Sequence, residues 1–295
     1  MGIVAPASYF LRQDFDAGCD ALRDLGYKVV FEESIFDRDL YFAGSAERRA
    51  RELETMFVRS DVNAVLCARG GYGASYLLPL LDIQKLAAHP KVFVGYSDIT
   101  SLMMHFQDVA GIVTFHGPMV AKDFAKQDGV ETGSWAAAMA AADPKFNFVG
   151  DSAMQVLVAG SAEGILYGGC LSMLVASLGT PYEIHTENTV LFIEDVATKP
   201  YQIDRMLLQL KLAGKFAGVR GIVFGEMLDC VQPSNQPYTL QEVIMRIVGD
   251  LGIPVVYGLR SGHVSRSNIT LPLGVSTRLQ AETSVNLTIT ESPTI

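Results

Sequence analysis

The strongest constraint on the fold is a run of short, wholly apolar segments separated by helical patterns in the first third of the chain. Residues 2–5, 28–31, 64–68, 92–95 and 112–115 are strand candidates. They are apolar throughout rather than alternating, which suits strands of a parallel sheet covered on both faces. Between the first two, Phe15, Cys19 and Leu22 fall at i, i+4 and i+7, one face of a helix that Gly26 can end. Between the next two, Ala46, Ala50, Leu53 and Phe57 repeat the pattern on a charged helix. This βαβ order predicts an α/β N-terminal domain over residues 1–120, built on a doubly wound, mostly parallel sheet.

Residues 121–151 read as a connection with little β content, carrying the single tryptophan, Trp135, and an alanine run around 137–142. Residues 152–295 then predict a mixed α+β domain. Its strand candidates are 156–159, 163–167, 190–194 and 219–225. Gly168-Gly169 open a helix over 170–178, and Ile203, Met206, Leu207 and Leu210 mark an amphipathic helix. Thr239 and Glu242 form a capping box, and the end of the chain (255–257, 269–271, 275–279, 285–289) is mostly β. At 295 residues with 49% apolar content, the chain is long enough for two cores.

The net charge of −9 argues against nucleic acid or an anionic membrane surface as partner. No apolar run approaches the roughly 20 residues needed to span a bilayer. The N-terminus, from Met1 to Ser8, lacks the basic and apolar regions of an export signal, so a cytoplasmic protein is expected. Cys19, Cys67, Cys170 and Cys230 show no metal or redox spacing. Cys19 and Cys67 read as buried free thiols of a reducing compartment, and no metal or other cofactor is expected.

The most informative segment runs from Lys91 to His105. An apolar strand ends at Gly95, turns through Tyr96 and Ser97, and enters a helix carrying Ile99, Leu102, Met103 and Phe106. A serine on such a turn has its hydroxyl at the carboxyl edge of the sheet, where the helix start offers N–H groups to an oxyanion. Ser97 or Asp98 would also serve as an ordinary helix cap, and the segment lacks the second glycine of G-x-S-x-G. The loop Arg69-Gly70-Gly71-Tyr72-Gly73 follows the 64–68 strand and so lies at the same edge, where ligands of open α/β sheets bind. Its glycines suit close approach of backbone to ligand, or simply a tight turn.

A serine nucleophile needs a base, and the base needs a partner that fixes its tautomer. Of the five histidines, His89 precedes a proline, His105 lies inside a helix and His185 sits in a polar turn. His116, just past the 112–115 strand, and His263, in a polar loop beside Gly262, remain in competition. Glu194 and Asp195 both end an apolar strand, and either could orient a histidine or cap the turn that follows.

Taken in order, these segments resemble the LD-carboxypeptidase family of serine peptidases. The resemblance covers nearly the whole chain, through Ile3-Val-Ala-Pro6, Arg69-Gly-Gly-Tyr-Gly73, Gly95-Tyr-Ser-Asp98, His116-Gly-Pro118, Gly168-Gly169, Gly179-Thr180, Phe192-Ile-Glu-Asp195, Asp204-Arg-Met-Leu207, Gly262-His263 and Pro272-Leu-Gly274. It implies Ser97 as nucleophile, His263 as base and Glu194 as its partner, with the backbone N–H groups of Gly71 and Asp98 as oxyanion donors. Ser97 then comes from the N-terminal domain and the other two from the C-terminal one, with the active site in the cleft between. Arg69, Gly70, Tyr72, His116 and Arg260 are substrate-binding candidates. The implied substrate is a muropeptide tetrapeptide cut before its terminal D-alanine, and the implied assembly a homodimer. Cys170, where asparagine is common, and Ser261, where an aromatic is frequent, depart from the family pattern.

Two other functions fit part of the pattern. A hydrolase of the microcin C self-immunity type shares the triad, but tends to carry an aromatic-bearing insertion that is absent between Glu194 and His263. A two-lobe binding protein without catalysis would not require the serine, glutamate and histidine together.

Overall fold

The computed structural model describes residues 1–140, 147–149 and 154–294. The chain divides into two compact units, one of Met1–Met139 with Arg266–Pro272 and Thr294, the other of Ala140–Ser265 with Leu273–Pro293.

In the first unit, strands β1 (Gly2–Val4), β2 (Ala64–Cys67), β3 (Val92–Gly95) and β4 (Thr114–His116) pair in parallel in that order. Helices α1 (Arg12–Asp24), α2 (Ala46–Val58), α3 (Ile83–Ala87) and α4 (Thr100–Ala110) connect them or follow them. The expected strand at 28–31 is reduced to one parallel bridge, Val30 to Gly2, held by Ile3 N–H to Val30 O at 2.9 Å and Val30 N–H to Met1 O at 2.9 Å. Glu32 and Glu33, next in the chain, enter a 3₁₀ turn (Glu33–Phe36) and end the pairing. The bridge nonetheless sets the winding. The chain steps from β1 outward to Val30 and then back across to β2, so the order reverses at β1. Crevices outside the carboxyl ends of strands at such reversals are where open α/β sheets bind ligands.

α1 buries Phe15, Gly18, Cys19 and Leu22, and α2 buries Ala50, Leu53, Met56 and Phe57, matching their apolar faces. α2 also buries two charges on that inward side, Arg49 and Glu52, which its charged composition conceals. Within the expected connection, α5 (Thr132–Met139) packs Trp135 against Phe124, with ring centres 4.9 Å apart. Ala141, Ala142 and Asp151 lie outside the described residues. Residues 266–272 pack with this first unit: Asn268 exchanges backbone bonds with Gly129 and Glu131, and the Thr270 N–H donates to Ser134 Oγ at 3.0 Å.

The second unit is built on one eight-stranded sheet. Its strands are β5 (Asn147–Val149), β6 (Gln155–Val158), β7 (Gly160–Cys170), β8 (Thr189–Glu194), β9 (Gly221–Gly225) and β10 (Val255–Leu259), with β12 (Ser276–Ala281) and β13 (Val285–Ile289); β11 (Leu271–Leu273) joins the first sheet beside β4. The order is β5-β13-β12-β7-β8-β9-β10-β6, parallel from β7 to β10 and antiparallel in the other pairs. The central strand β8 is buried at every residue, as an apolar run with helices on the sheet requires. Those helices are α6 (Leu171–Ala176), α7 (Pro200–Leu212) and α8 (Leu240–Val248), the last opened by the Thr239–Glu242 capping box. Gly168 and Gly169, expected to open a helix, instead belong to the end of β7. All four cysteines are free and buried. Among the described residues no helix is long and apolar enough to cross a membrane.

Candidate active site

The first group of candidate residues gathers at the carboxyl edge of the parallel sheet, where β1, β2, β3 and β4 all end. β3 runs out through Gly95, and Tyr96 is extended (φ −160°, ψ −173°). Ser97 then adopts φ +65°, the left-handed region, before a 3₁₀ turn (Ser97–Ile99) leads into α4. A non-glycine residue there is strained, and such strain gathers at functional turns. The missing second glycine of the motif has a steric explanation. A Cβ on residue 95 would lie 2.8 Å from Ile99 Cγ2, so the glycine before the serine makes room for the isoleucine after it.

Ser97 itself is half-buried. Neither it nor Asp98 caps the helix through its side chain. The buried Asp98 carboxylate turns back and accepts the Ala74 N–H at 2.7 Å. Burial pushes this carboxyl up to about 6, against the pull of the Ala74 and Gly73 N–H groups and the Arg49 guanidinium.

The glycine loop wraps over the serine. A Cβ on Gly70 would lie 3.0 Å from Ser97 Cβ and 3.3 Å from its Oγ. Gly71 has φ +103°, and a Cβ there would meet Ser8 Oγ at 2.5 Å. Ser8, in the turn after β1, accepts the Tyr72 N–H at 3.0 Å, and its own N–H donates to Gly70 O at 3.2 Å. Arg69 is exposed and donates to Tyr9 O at 2.8 Å, so its guanidinium braces the neighbouring turn. Tyr72 is exposed among Tyr41, Phe42 and Tyr76. His116 pairs in register with Gly95 but is fully buried, its ring 5.8 Å from that of Tyr96.

The second group lies at the carboxyl end of β8. Glu194 is fully buried, between Cys170 on β7 and β9, where Gly225 has no side chain because a Cβ would stand 2.6 Å from Glu194 Cβ. His263, buried in the loop after β10, donates its backbone N–H to Glu194 Oε2 at 3.1 Å, and its Nδ1 lies 2.7 Å from the same oxygen. A carboxylate only accepts, so the imidazole proton sits on Nδ1 and the lone pair on Nε2, the tautomer a general base needs. Asp195 faces another way, accepting from the N–H groups of Ser172 (3.0 Å) and Val196 (2.8 Å) and from Thr198 Oγ1 (2.9 Å). Of the two acids at this strand end, Glu194 meets the histidine and Asp195 fixes the turn. Arg260 is half-buried in the same loop.

Chemically, the two groups offer a strained hydroxyl beneath a backbone loop and a histidine polarised by a buried carboxylate. Two family models match the chain, the LD-carboxypeptidase N-terminal domain over residues 1–117 and the LD-carboxypeptidase C-terminal domain over residues 163–279. The chain belongs to the LD-carboxypeptidase family. A probable murein peptide carboxypeptidase of Bacillus subtilis is 37% identical over 276 residues, 93% of this chain and 86% of that protein. The solved muramoyltetrapeptide carboxypeptidase of Oxalobacter formigenes is 32% identical, with a TM-score of 0.89 over 99% of both chains. The microcin C7 self-immunity protein of Escherichia coli is 28% identical over 97% of this chain. Membership of the LD-carboxypeptidase family makes the protein a carboxypeptidase, a hydrolase of peptide C-termini.

Both departures from the family pattern are buried. Cys170 heads α6 with its sulfur 3.2 Å from Ser172 Oγ; burial, then the charges of Glu194 and Asp195, push its thiol well above the usual range. Ser261 donates its N–H to Leu259 O at 3.0 Å.

Ser8, Arg49 and Glu226 hold the site loops and were not singled out from sequence. Glu226, just past β9, accepts both the N–H (3.1 Å) and the hydroxyl of Ser265 and so ties down the His263 loop. Ser8 had a usable signal, since it follows a strand of the same parallel sheet. Arg49 and Glu226 had none, because nothing local distinguishes a bracing charge from a solvated one.

Proposed function

We propose that the protein is a serine carboxypeptidase that removes the terminal D-alanine from murein tetrapeptides by cutting the bond between an L-centred residue and that D-alanine. The names of the relatives from Bacillus subtilis and Oxalobacter formigenes support the substrate class. What supports the chemistry most is the buried 2.7 Å pairing of His263 Nδ1 with Glu194.

On this reading His263 Nε2 takes the proton of Ser97 Oγ as the oxygen attacks the scissile carbonyl. Glu194 stabilises the resulting imidazolium without taking its proton. The backbone N–H groups of Gly71 and Asp98 receive the oxyanion, the departing D-alanine amine takes the proton from His263, and water repeats the sequence on the acyl-enzyme. Arg69 and Arg260 are the cations to test for holding the terminal carboxylate of the peptide, with Gly70, Tyr72 and His116 as neighbouring contacts. The same reading has the enzyme working in the cytoplasm, as a homodimer.

The test is release of the terminal alanine, followed by mass spectrometry of the shortened peptide, from a tetrapeptide, the matching pentapeptide and an all-L tetrapeptide. Release from the tetrapeptide alone is expected, because inverting the acyl-side residue drives its side chain into the wall when the carbonyl is seated. Equal rates on the all-L peptide, or release from the pentapeptide only, sink the stereochemical assignment and leave the serine chemistry standing. No release from any of them, with cleavage of an acyl-sulfamoyl nucleotide, would move the protein to the microcin type.

A further inference from the structure

We infer that the side chain of Asp98, backed by Arg49, is the positioning group that holds the glycine loop in place over Ser97. The inference rests on the serine reading above and adds a role for a side chain whose backbone N–H alone has been given one.

The loop from Gly70 to Gly73 has little with which to hold a shape of its own. Three of its four residues lack side chains, and glycine loses the most conformational freedom on ordering. Its position is instead set by polar groups from three other segments. Ser8 takes the Tyr72 N–H and donates to Gly70 O at the start. Arg49 Nη1 donates to Gly73 O at 2.8 Å and also to Pro6 O, so one guanidinium ties the loop to the turn after β1. Asp98 takes the Ala74 N–H at 2.7 Å at the far end. Arg49 and Asp98 are both almost fully buried, at 1% and 2% exposure, where polar groups persist only when their bonds are made.

Asp98 is also the residue directly after Ser97. One short segment therefore carries the hydroxyl, a proposed oxyanion N–H and the carboxylate that fixes the loop carrying the other N–H. Losing the carboxylate leaves the Ala74 N–H unsatisfied and removes one of the acids whose charge favours the buried Arg49 guanidinium, and the loop is free to move off the oxyanion position. Since an oxyanion donor acts on the transition state far more than on bound substrate, the loss falls on kcat.

The experiment is steady-state D-alanine release from the tetrapeptide by wild type, Ser97→Ala, Asp98→Ala and Asp98→Asn, with folding checked by circular dichroism. Asp98→Ala is expected to lower kcat about 100-fold, the cost of one oxyanion donor, with KM within about two-fold. Asp98→Asn, whose amide oxygen still accepts from Ala74 as a weaker neutral partner, is expected to recover about ten-fold of that. Should Asp98→Ala fail to fold, Asp98→Asn decides alone, by a kcat about ten-fold below wild type at constant KM. Unchanged kcat in the folded variants, or a raised KM at unchanged kcat, overturns the inference. An inactive Ser97→Ala beside fully active Asp98 variants fells the inference only; an active Ser97→Ala fells the serine reading and the inference with it.

Discussion

Gly70 lies against Ser97 so closely that a methyl group at position 70 would stand 3.3 Å from the serine oxygen. The backbone at 70 is not in the left-handed region, so alanine would meet no conformational strain there. The crowding against Ser97 and against Tyr96 O at 3.2 Å remains, so Gly70→Ala should cost about 1–3 kcal/mol of stability while lowering kcat/KM by one to two decades, on the order of what misplacing a reacting group costs. Matched thermal melts and kinetics check this. A variant with full activity would show that the serine hydroxyl does not need the space next to residue 70.

Ser97 separates catalysis from stability. At φ +65° the residue is strained for any side chain but not for glycine. Ser97→Ala is expected to lose two to six decades in kcat with stability little changed. Ser97→Gly should be equally inactive yet more stable than Ser97→Ala by about 1 kcal/mol. Urea melts of the two variants give the comparison, and an alanine variant as stable as the glycine one contradicts the strain argument.

His263 and Glu194 share one oxygen, Oε2, through two bonds. His263→Ala should cost about as many decades as Ser97→Ala. Glu194→Gln should cost fewer, since an amide still fills the buried site but no longer enforces the Nδ1–H tautomer. The double variant is expected to be no worse than His263→Ala alone, because the groups act as a unit. Additive losses would mean the pair works independently. Full activity in His263→Ala together with a dead His116→Ala would transfer the base to His116.

Glu52 makes stability depend on pH. It accepts the Ala5 N–H at 3.0 Å and pairs with Arg48 at 2.8 Å, yet burial pushes its carboxyl up from 4.5 to about 7. The folded state thus holds a proton that the unfolded chain releases near pH 4.5. Its contribution is fully present below that value and is lost as pH rises through about 7. Raising pH from 5 to 8 should cost the wild type a few kcal/mol through this group. Glu52→Gln cannot release a proton and should show a flatter profile. Urea unfolding of both proteins at the two pH values is the measurement, and parallel profiles would remove Glu52 as the cause.

What the chain alone determines is the set of elements and the edge at which they deliver their ends. Wholly apolar segments at residues 64–68 and 92–95, spaced by helices with one apolar face, have few ways to bury themselves other than a parallel sheet. A parallel sheet necessarily brings the turns after its strands, Ser8, Gly70 and Ser97, to one side. Order in sequence likewise carries the family pattern, because short motifs separated by fixed elements are local information. The tertiary structure decides what depends on direction at a single residue. Glu194 and Asp195 are neighbours with the same chemistry, and only the folded chain shows that the first, the last residue of β8, meets His263 while the second, just past the strand, takes the Ser172 N–H. Arg49 and Glu52 look like solvated charges on a charged helix until the turn after β1 closes over them. The strain at Ser97 is equally invisible in composition, since nothing about a serine between Tyr96 and Asp98 marks a positive φ, which the residue adopts only in the folded turn with Gly70 close against its side chain.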